Sequence, residues 1–305
     1  MYLYHFGFKE LPFGLTPDTG FFCDLPGHVE ALNVLQIALQ SGEGFVKITG
    51  EVGTGKTLLC RQLLNQLENS HACAYLPNPY LSPEELRFAL ASELGMRVSQ
   101  KIDQSRLTER ISRRLIKLHK MGKPVVLMVD EAQALPDESL EALRLFTNLE
   151  TEKKKLLQVV LFGQPELDQR LSETHLRQLR QRISFSYKLP LLSRKQAEKY
   201  IAHRIYAATA VEGNSNQIVF SYSAISKLHH YSRGVPRLLN ILTHKALMLA
   251  YGEGSYQINA RYIKMAARDT DDVSYGFWRI NIFTTVLAGA VFVGNIGTLI
   301  KSNFL

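Results

Sequence analysis

The stretch from residue 50 to residue 57 constrains this chain more than any other. It fits the pattern G-x-x-x-x-G-K-[ST] and stands between an apolar, β-branched segment and a segment with helical spacing. Glycines let backbone N–H groups wrap closely around a phosphate, and the following helix turns its positive end towards the anion. We therefore predict a phosphate-binding loop in which Lys56 reaches the β- and γ-phosphates of a nucleotide and the Thr57 hydroxyl binds Mg²⁺. The predicted loop consists of Gly50, Glu51, Val52, Gly53, Thr54, Gly55, Lys56 and Thr57.

A second motif is an unbroken apolar run, residues 125–129, that ends in Asp130 and Glu131. Open α/β sheets place their ligands at the carboxyl ends of strands, where this pair would lie. Alone, the pair could equally be a helix cap followed by a solvated acid. Because it follows the phosphate loop by one strand and two helices, we predict that Asp130 holds Mg²⁺ and that Glu131 orients or deprotonates the attacking water.

The order of segments predicts the fold class. The chain has 305 residues, of which 46% are apolar, enough for the cores of two modest domains. Strand-like segments alternate with helical ones, which indicates an α/β fold with a parallel sheet between two layers of helices. The predicted strands are residues 44–49, 72–76, 124–129, 156–163 and 183–189.

The pattern changes near Pro190, after which it is helical only. We predict an α/β nucleotide-binding domain over residues 1–190 and an all-α domain over residues 191–272. The first 30 residues are aromatic and turn-rich, and they could either contact the base of a nucleotide or lie as a strap over the core.

The far C-terminal part of the chain contains an uncharged run, residues 280–300. As a helix it would be about 31 Å long, close to the thickness of a bilayer core. We predict a transmembrane helix over residues 278–301. A buried soluble helix and an amphipathic tail that binds a partner are the alternatives. The N-terminus does not have the composition of a secretory signal peptide.

The formal net charge of +8 permits attraction to nucleic acid or to an anionic membrane, and we interpret the excess as spread along the chain. The predicted helix at residues 105–120 has a basic side, which we interpret as a solvated face. An acidic, lipid or nucleic-acid partner is the alternative. The three cysteines lack metal-type spacing and indicate reduced thiols in the cytosol.

Several short motifs together resemble the AAA+ ATPases, and more closely the secretion and pilus ATPases of the ExeA/GspA type. The resemblance covers roughly residues 1–270 and is most specific in the phosphate loop. Outside the two motifs above, it is carried by residues 5–9, 12–13 and 16–18, by Leu161-Phe162-Gly163-Gln164-Pro165-Glu166-Leu167, by Gln181-Arg182-Ile183 and by Arg233-Gly234-Val235-Pro236-Arg237-Leu238-Leu239-Asn240.

The resemblance implies a P-loop NTPase (AAA+) fold, with an all-α lid as the second domain, that hydrolyses ATP with Mg²⁺. It implies that Gln164 senses the γ-phosphate, that Arg237 contacts the nucleotide from the lid, and that an arginine finger acts on a neighbouring subunit's nucleotide. We assign the finger to Arg182, with Arg177 and Arg180 as rivals. The implied catalytic residues are thus Glu131, Gln164, Arg182 and Arg237 in a homo-oligomer.

For the cellular setting, the resemblance implies the cytoplasmic face of the bacterial inner membrane, with a single pass through the C-terminal helix. Implied partners are the inner-membrane proteins that assemble a pilus or a secretion machine. Because few residues follow the apolar run, we do not expect cell-wall binding, and the shorter form resembles ATPase-like proteins of type IV pilus biogenesis of the mannose-sensitive haemagglutinin (MSHA) kind. The alternative is a DNA-associated ATPase of the TniB transposition type, although we do not expect nucleic-acid binding.

Overall fold

The computed structural model describes residues 2–77, 79–150, 155–209 and 218–273. The predicted transmembrane segment, residues 278–301, lies outside them. Among the residues that are described, no helix has the length and apolar character needed to cross a bilayer. The strands are β1 Phe45–Thr49, β2 Ala72–Leu76, β3 Val125–Val129, β4 Leu157–Gly163, β5 Ile183–Lys188, β6 Val219–Phe220 and β7 Gln257–Ile258. The α-helices are α1 Tyr2–Phe6, α2 Pro26–Gln40, α3 Lys56–Leu67, α4 Pro83–Glu93, α5 Gln104–Lys120, α6 Asp137–Phe146, α7 Pro165–Leu171, α8 Arg177–Arg180, α9 Arg194–Ala208, α10 Tyr222–Ser232, α11 Pro236–Gly252 and α12 Ala260–Arg268.

The main sheet has five parallel strands in the order β2-β3-β4-β1-β5. Its register brings the strand ends that carry the predicted site to one edge. Thr49 at the end of β1 pairs with Gly163 at the end of β4, and Val129 at the end of β3 pairs with Leu161. The chain segments that follow these three strands are therefore neighbours, as the sequence predicts.

Helices cover both faces of this sheet. Strands β3 and β4 are buried along their whole lengths, which explains their continuous apolar sequences. Helices α4, α5 and α6 form a core with one face, while α2 and α3 form a second core with the other. This arrangement confirms the predicted three-layer α/β fold.

The region after Pro190 contains α9–α12, as predicted, and a small parallel sheet of β6 and β7 that was not predicted. The expectation of helices only was therefore wrong here. Two-residue strands are too short to produce an alternating pattern in the sequence. Between β4 and β5 the helical segment is divided into α7, a 3₁₀ turn at Thr174–Leu176 and α8.

Helix α1 and the N-terminal strap, residues 8–25, bury five aromatic side chains in the core of the helical region, namely Tyr2, Phe6, Phe8, Phe13 and Phe21. Arg204 of α9 holds the strap although it is only 5% exposed. Its guanidinium donates to Pro12 O at 2.5 Å and to Gly14 O at 3.4 Å, and it lies 4.6 Å from the ring centre of Phe21. These contacts satisfy a charge that would be costly to bury alone.

Gly234 lies at the turn before α11 with a φ of +78°. Its carbonyl accepts from Leu192 N at 2.9 Å, and a Cβ at this position would stand 2.1 Å from Leu192 O. No side chain fits between these two segments of backbone. Glycine is therefore required here both for its conformation and for the close approach.

We predict that Gly234→Ala lowers the free energy of unfolding by at least about 2 kcal/mol, because left-handed strain and a backbone clash add together. Gly254→Ala is the matched control: φ is +66° there, but nothing lies within 4 Å of the added methyl group. The control should lose only about 1 kcal/mol. Urea titrations of both variants measure the difference, and equal losses would show that the contact with Leu192 contributes nothing.

His28 of α2 contacts the backbone of the phosphate loop and supports its conformation. Its Nε2 donates to Thr54 O at 3.0 Å, and a Cβ on Gly55 would meet the same nitrogen at 3.1 Å. The ring is 7% exposed, and burial lowers the pKa of His28, opposed by the bond to Thr54. The neutral imidazole is thus the form that fits the folded chain.

Because the unfolded chain binds a proton near pH 6.5 and the folded His28 binds it only at lower pH, stability should fall as pH falls below that value. We predict that His28→Gln, which keeps a donor, loses less stability than the wild type between about pH 7.5 and pH 5.5. Urea unfolding across this range measures the two slopes. Above pH 7.5 the two curves should run parallel, and identical slopes below it would contradict this role of His28.

Candidate nucleotide-binding site

The loop between β1 and α3 is shaped by glycines in the left-handed region, with φ values of +77° at Gly53 and +96° at Gly55. Gly50 N donates to Gly163 O at 3.2 Å, which attaches the beginning of the loop to the end of β4. Gly55 caps α3, so the helix begins at Lys56 and its free N–H groups face the loop. The cradle fits a phosphate group.

Lys56 is the central cation of the loop and is only 4% exposed. Its Nζ donates to Gly50 O at 2.8 Å and to Glu51 O at 3.0 Å. Burial lowers the pKa of Lys56, while the nearby carboxylates, Glu131 and Asp130 first among them, oppose this shift. The ammonium group is thus held among acceptors at the base of the loop.

Asp130 follows β3 and is 2% exposed. Burial raises the pKa of its carboxyl, opposed by hydrogen bonds from the Thr57 hydroxyl and from Glu131 N, the latter at 3.0 Å. Thr57 and Asp130 together offer the hard oxygen ligands that Mg²⁺ prefers, and phosphate oxygens and water usually complete such a site. Among the described residues there is no larger His, Cys, Asp or Glu cluster that could hold a metal ion.

Glu131 has left-handed backbone geometry, with a φ of +50° that is uncommon for a residue other than glycine. Its Oε2 accepts from Gln133 Nε2 at 2.5 Å and from Gln164 Nε2 at 2.9 Å. Burial by itself raises the pKa of Glu131, but these two bonds and the charge of Lys56 outweigh it, so the pKa is lowered. The carboxylate is therefore kept ionised and fixed in direction.

Gln133 lies two residues after Glu131, and the sequence analysis gave it no role. Its Oε1 accepts from Gln164 N at 3.0 Å, and its backbone oxygen accepts from Arg170 Nη1 at 2.6 Å. Arg170 in turn forms an ion pair with Asp137. This chain of contacts runs from α6 and α7 to Glu131, and it depends on two helices that no local pattern relates.

The helical region closes the site from the other side. Arg237 N donates to Gly53 O at 3.1 Å, and a Cβ on Gly53 would meet Arg237 Cβ at 2.6 Å. Between loop and lid lies a cleft of about 260 Å³. The lining includes strap residues 14–18, loop residues Val52, Gly53, Gly55, Lys56 and Thr57, the acid Glu131, and the lid residues Tyr200, Arg204, Arg237 and Asn240.

The structure does not bring Arg182 to this cleft. Arg182 precedes β5, whose first residue, Ile183, pairs with Phe45 at the beginning of β1. The phosphate loop follows the opposite end of β1, so a strand length of roughly 15 Å separates the two. Arg177 and Arg180 are the exposed first and last residues of the short helix α8, which precedes Arg182. A role for any of the three in a neighbouring subunit stays a prediction.

Three side chains besides Gln133 that support the loop or the cleft were missed, namely His28, Arg204 and Asn240. Asn240 Oδ1 accepts from Tyr200 OH at 3.0 Å, and its amide donates to Gly14 O at 3.4 Å. Asn240 had been quoted within the motif around Arg237, which was the available signal. His28 and Arg204 lie on ordinary amphipathic helices, so only the tertiary structure shows their contacts.

Comparison with known proteins agrees with this geometry. Residues 39–171 match the family described as "AAA domain". Over 96% of its length the chain is 41% identical to the general secretion pathway protein A of Aeromonas hydrophila, and it spans about half (53%) of that relative.

Two solved structures share the fold. The ORC2 protein of Aeropyrum pernix, solved in ADPNP–ADP complexes, matches with a TM-score of 0.62 and 15% identity, covering 86% of this chain and 72% of that one. The RuvB Holliday junction branch migration motor of Thermotoga maritima matches with a TM-score of 0.51 and 17% identity, covering 81% of this chain and 70% of that one. The chain thus has the AAA-type P-loop fold.

Proposed function

We propose that this protein hydrolyses ATP to ADP and phosphate, with Mg²⁺ as cofactor. The observation that carries the proposal is the position of the Glu131 carboxylate. Two amides fix it at the same sheet edge as Lys56, Thr57 and Asp130. A cation for phosphates, two oxygen ligands for a metal and an ionised base are the parts that phosphoryl transfer to water requires.

Each residue has a defined task in this proposal. The loop N–H groups and Lys56 bind the phosphates, and Thr57 and Asp130 hold the metal, which neutralises the charge of the phosphates. Gln133 and Gln164 both donate to Oε2 of Glu131, so Oε1 is left to accept a proton from the attacking water. The lowered pKa of Glu131 keeps this base ionised near neutral pH.

The lid would report the state of the nucleotide. Arg237 is attached to the loop through its backbone N–H, while its exposed side chain lines the cleft. The separate positions of its backbone and side chain support a sensing role. The side chain is available to a ligand, while the backbone N–H keeps the loop and the helical region in contact. Loss of the γ-phosphate would then change one contact of the guanidinium and shift the lid.

We further propose that the ATPase assists an envelope machine, either a type II secretion apparatus or an MSHA-type pilus. The similarity to a general secretion pathway protein A supports this setting. The narrower assignment, to a protein like MshM of MSHA pilus biogenesis, rests on the resemblance described above. In this proposal the protein is a homo-oligomer at the cytoplasmic face of the inner membrane, anchored by residues 278–301, with Arg182 acting on a neighbour's nucleotide.

Replacement of the base tests the proposed reaction. We expect Glu131→Gln to bind ATP with Mg²⁺ as the wild type does but to release phosphate at least about 100-fold more slowly, since a general base is removed. Glu166→Gln removes an exposed acid at the same sheet edge and is the control, with a rate expected near that of the wild type. A Glu131→Gln protein that releases phosphate as fast as wild type would refute the assignment.

Arg237→Ala tests the sensing role. We expect phosphate release to fall by about 100-fold, because one preorganised cation is removed from the reacting phosphate. Arg237→Lys keeps the charge but not the planar guanidinium with its several donors. Its rate of phosphate release should lie between those of the wild type and Arg237→Ala. Release rates and nucleotide affinity should be measured with the free energy of unfolding. An unchanged rate in the alanine variant would leave Arg237 with only its backbone role.

A further inference from the structure

Most of the chain's excess positive charge lies in one segment. Residues 97–123 contain nine Lys or Arg and two Asp or Glu, a net charge of +7 out of the formal +8. The interpretation of the charge as spread along the chain was therefore wrong. Helix α5 and its two flanking turns carry nearly all of it, and none of these residues lines the nucleotide cleft.

The helix displays this charge as one stripe. The basic face of α5, defined as Arg106, Arg110, Arg113, Lys117 and Lys120, follows alternating steps of four and three residues, so these side chains share one side of the helix. All five are exposed, while Leu107, Ile111, Leu115 and Leu118 of the same helix are buried in the core. The stripe is about 21 Å long.

Few acids neutralise the basic face. Asp103 is committed to the helix N-cap, where its carboxylate accepts from Ser105 N at 2.9 Å and from Arg106 N at 3.2 Å. Glu109 forms an ion pair with Arg113 at 2.5 Å, and both groups remain exposed. This pair offsets one of the five cations of the basic face, and the other four keep their charge without an ion pair to an acid among the described residues. A surface of this charge density therefore attracts anions from solution.

Two apolar side chains interrupt the charged surface. Ile116 is 40% exposed and lies beside the basic face, and Met121, which is 62% exposed, follows its end. Lipid headgroups can take up both features, because phosphates meet the cations while apolar side chains enter the boundary with the acyl chains. Lipids also diffuse and can gather beneath the stripe, whereas the phosphates of a duplex have fixed spacing.

We propose that the basic face of α5 binds the headgroups of anionic phospholipids and holds the α/β domain against the membrane surface. The proposal rests on the membrane setting proposed above and adds a second, electrostatic contact to it. Clusters of this size bind anionic leaflets, and each cation near the surface contributes separately. The site is on the α/β domain itself and is distinct from residues 278–301.

Vesicle co-flotation of the full chain tests this surface. The triple variant Arg110→Gln, Arg113→Gln, Lys117→Gln removes three charges from the basic face and keeps good helix formers. The matched control is Lys195→Gln, Lys264→Gln, Arg268→Gln, which removes three charges from exposed positions of the helical region. Vesicles of phosphatidylcholine alone are compared with vesicles that contain about 30% phosphatidylglycerol.

We expect wild type and control to bind the anionic vesicles more strongly than the neutral ones, with the difference suppressed at about 0.5 M salt. The triple variant should bind the anionic vesicles at least about 10-fold more weakly than the control. Binding to neutral vesicles measures the C-terminal segment and should be the same for all three proteins. Equal binding by the triple variant and the control would overturn the proposal.

Two further outcomes would also overturn it. One is tighter binding of the basic face to a DNA duplex than to anionic vesicles in the same buffer, which would make nucleic acid its ligand. The other is a smaller oligomer of the triple variant together with unchanged vesicle binding, which would assign the face to contacts between copies. Phosphate release in the absence of vesicles should be equal in all three proteins. If none of the three proteins, the wild type included, released phosphate, that result would refute the proposed ATPase activity and not the lipid-binding surface.

Discussion

The whole site depends on the burial of one charge. An ammonium group that is almost fully excluded from water is stable only if acceptors surround it. Around Lys56 these come from the loop's own carbonyls and from the carboxylates that follow β3. A parallel sheet with β1 next to β4, and β4 next to β3, is an arrangement that supplies both. The strand order, the glycine loop and the two acids thus act together to stabilise the buried ammonium group of Lys56.

The extent to which the sequence predicts this structure follows from the range of the interactions. The common position of Asp130 and Thr57 at one sheet edge was predicted because strand, loop and helix signals are local and parallel strands bring their ends together. Gln133 was missed because its role arises from three contacts, to Glu131, Gln164 and Arg170, that lie on separate segments. Periodicity describes which face of an element is buried, and it does not describe which amide meets which carboxylate.

The same limit applies to the helical region and to the surface. The aromatic residues at the start of the chain could be recognised as apolar, but the packing of α1 against α11 required the fold. The concentration of charge in residues 97–123 could have been counted from the sequence. What the fold added is that the buried and basic sides of α5 face different ways, so that the charge forms a surface.

The grip of Arg204 on the strap has a mechanical consequence. Because Arg204 and Asn240 of the helical region hold the carbonyls of Pro12 and Gly14, residues 12–14 would move with that region, whereas Pro17 is held to α3 by a hydrogen bond from Arg61. Strap residues also form one wall of the nucleotide cleft. A rotation of the helical region would therefore change two parts of the cleft lining at once, its own side chains and the strap at Gly14.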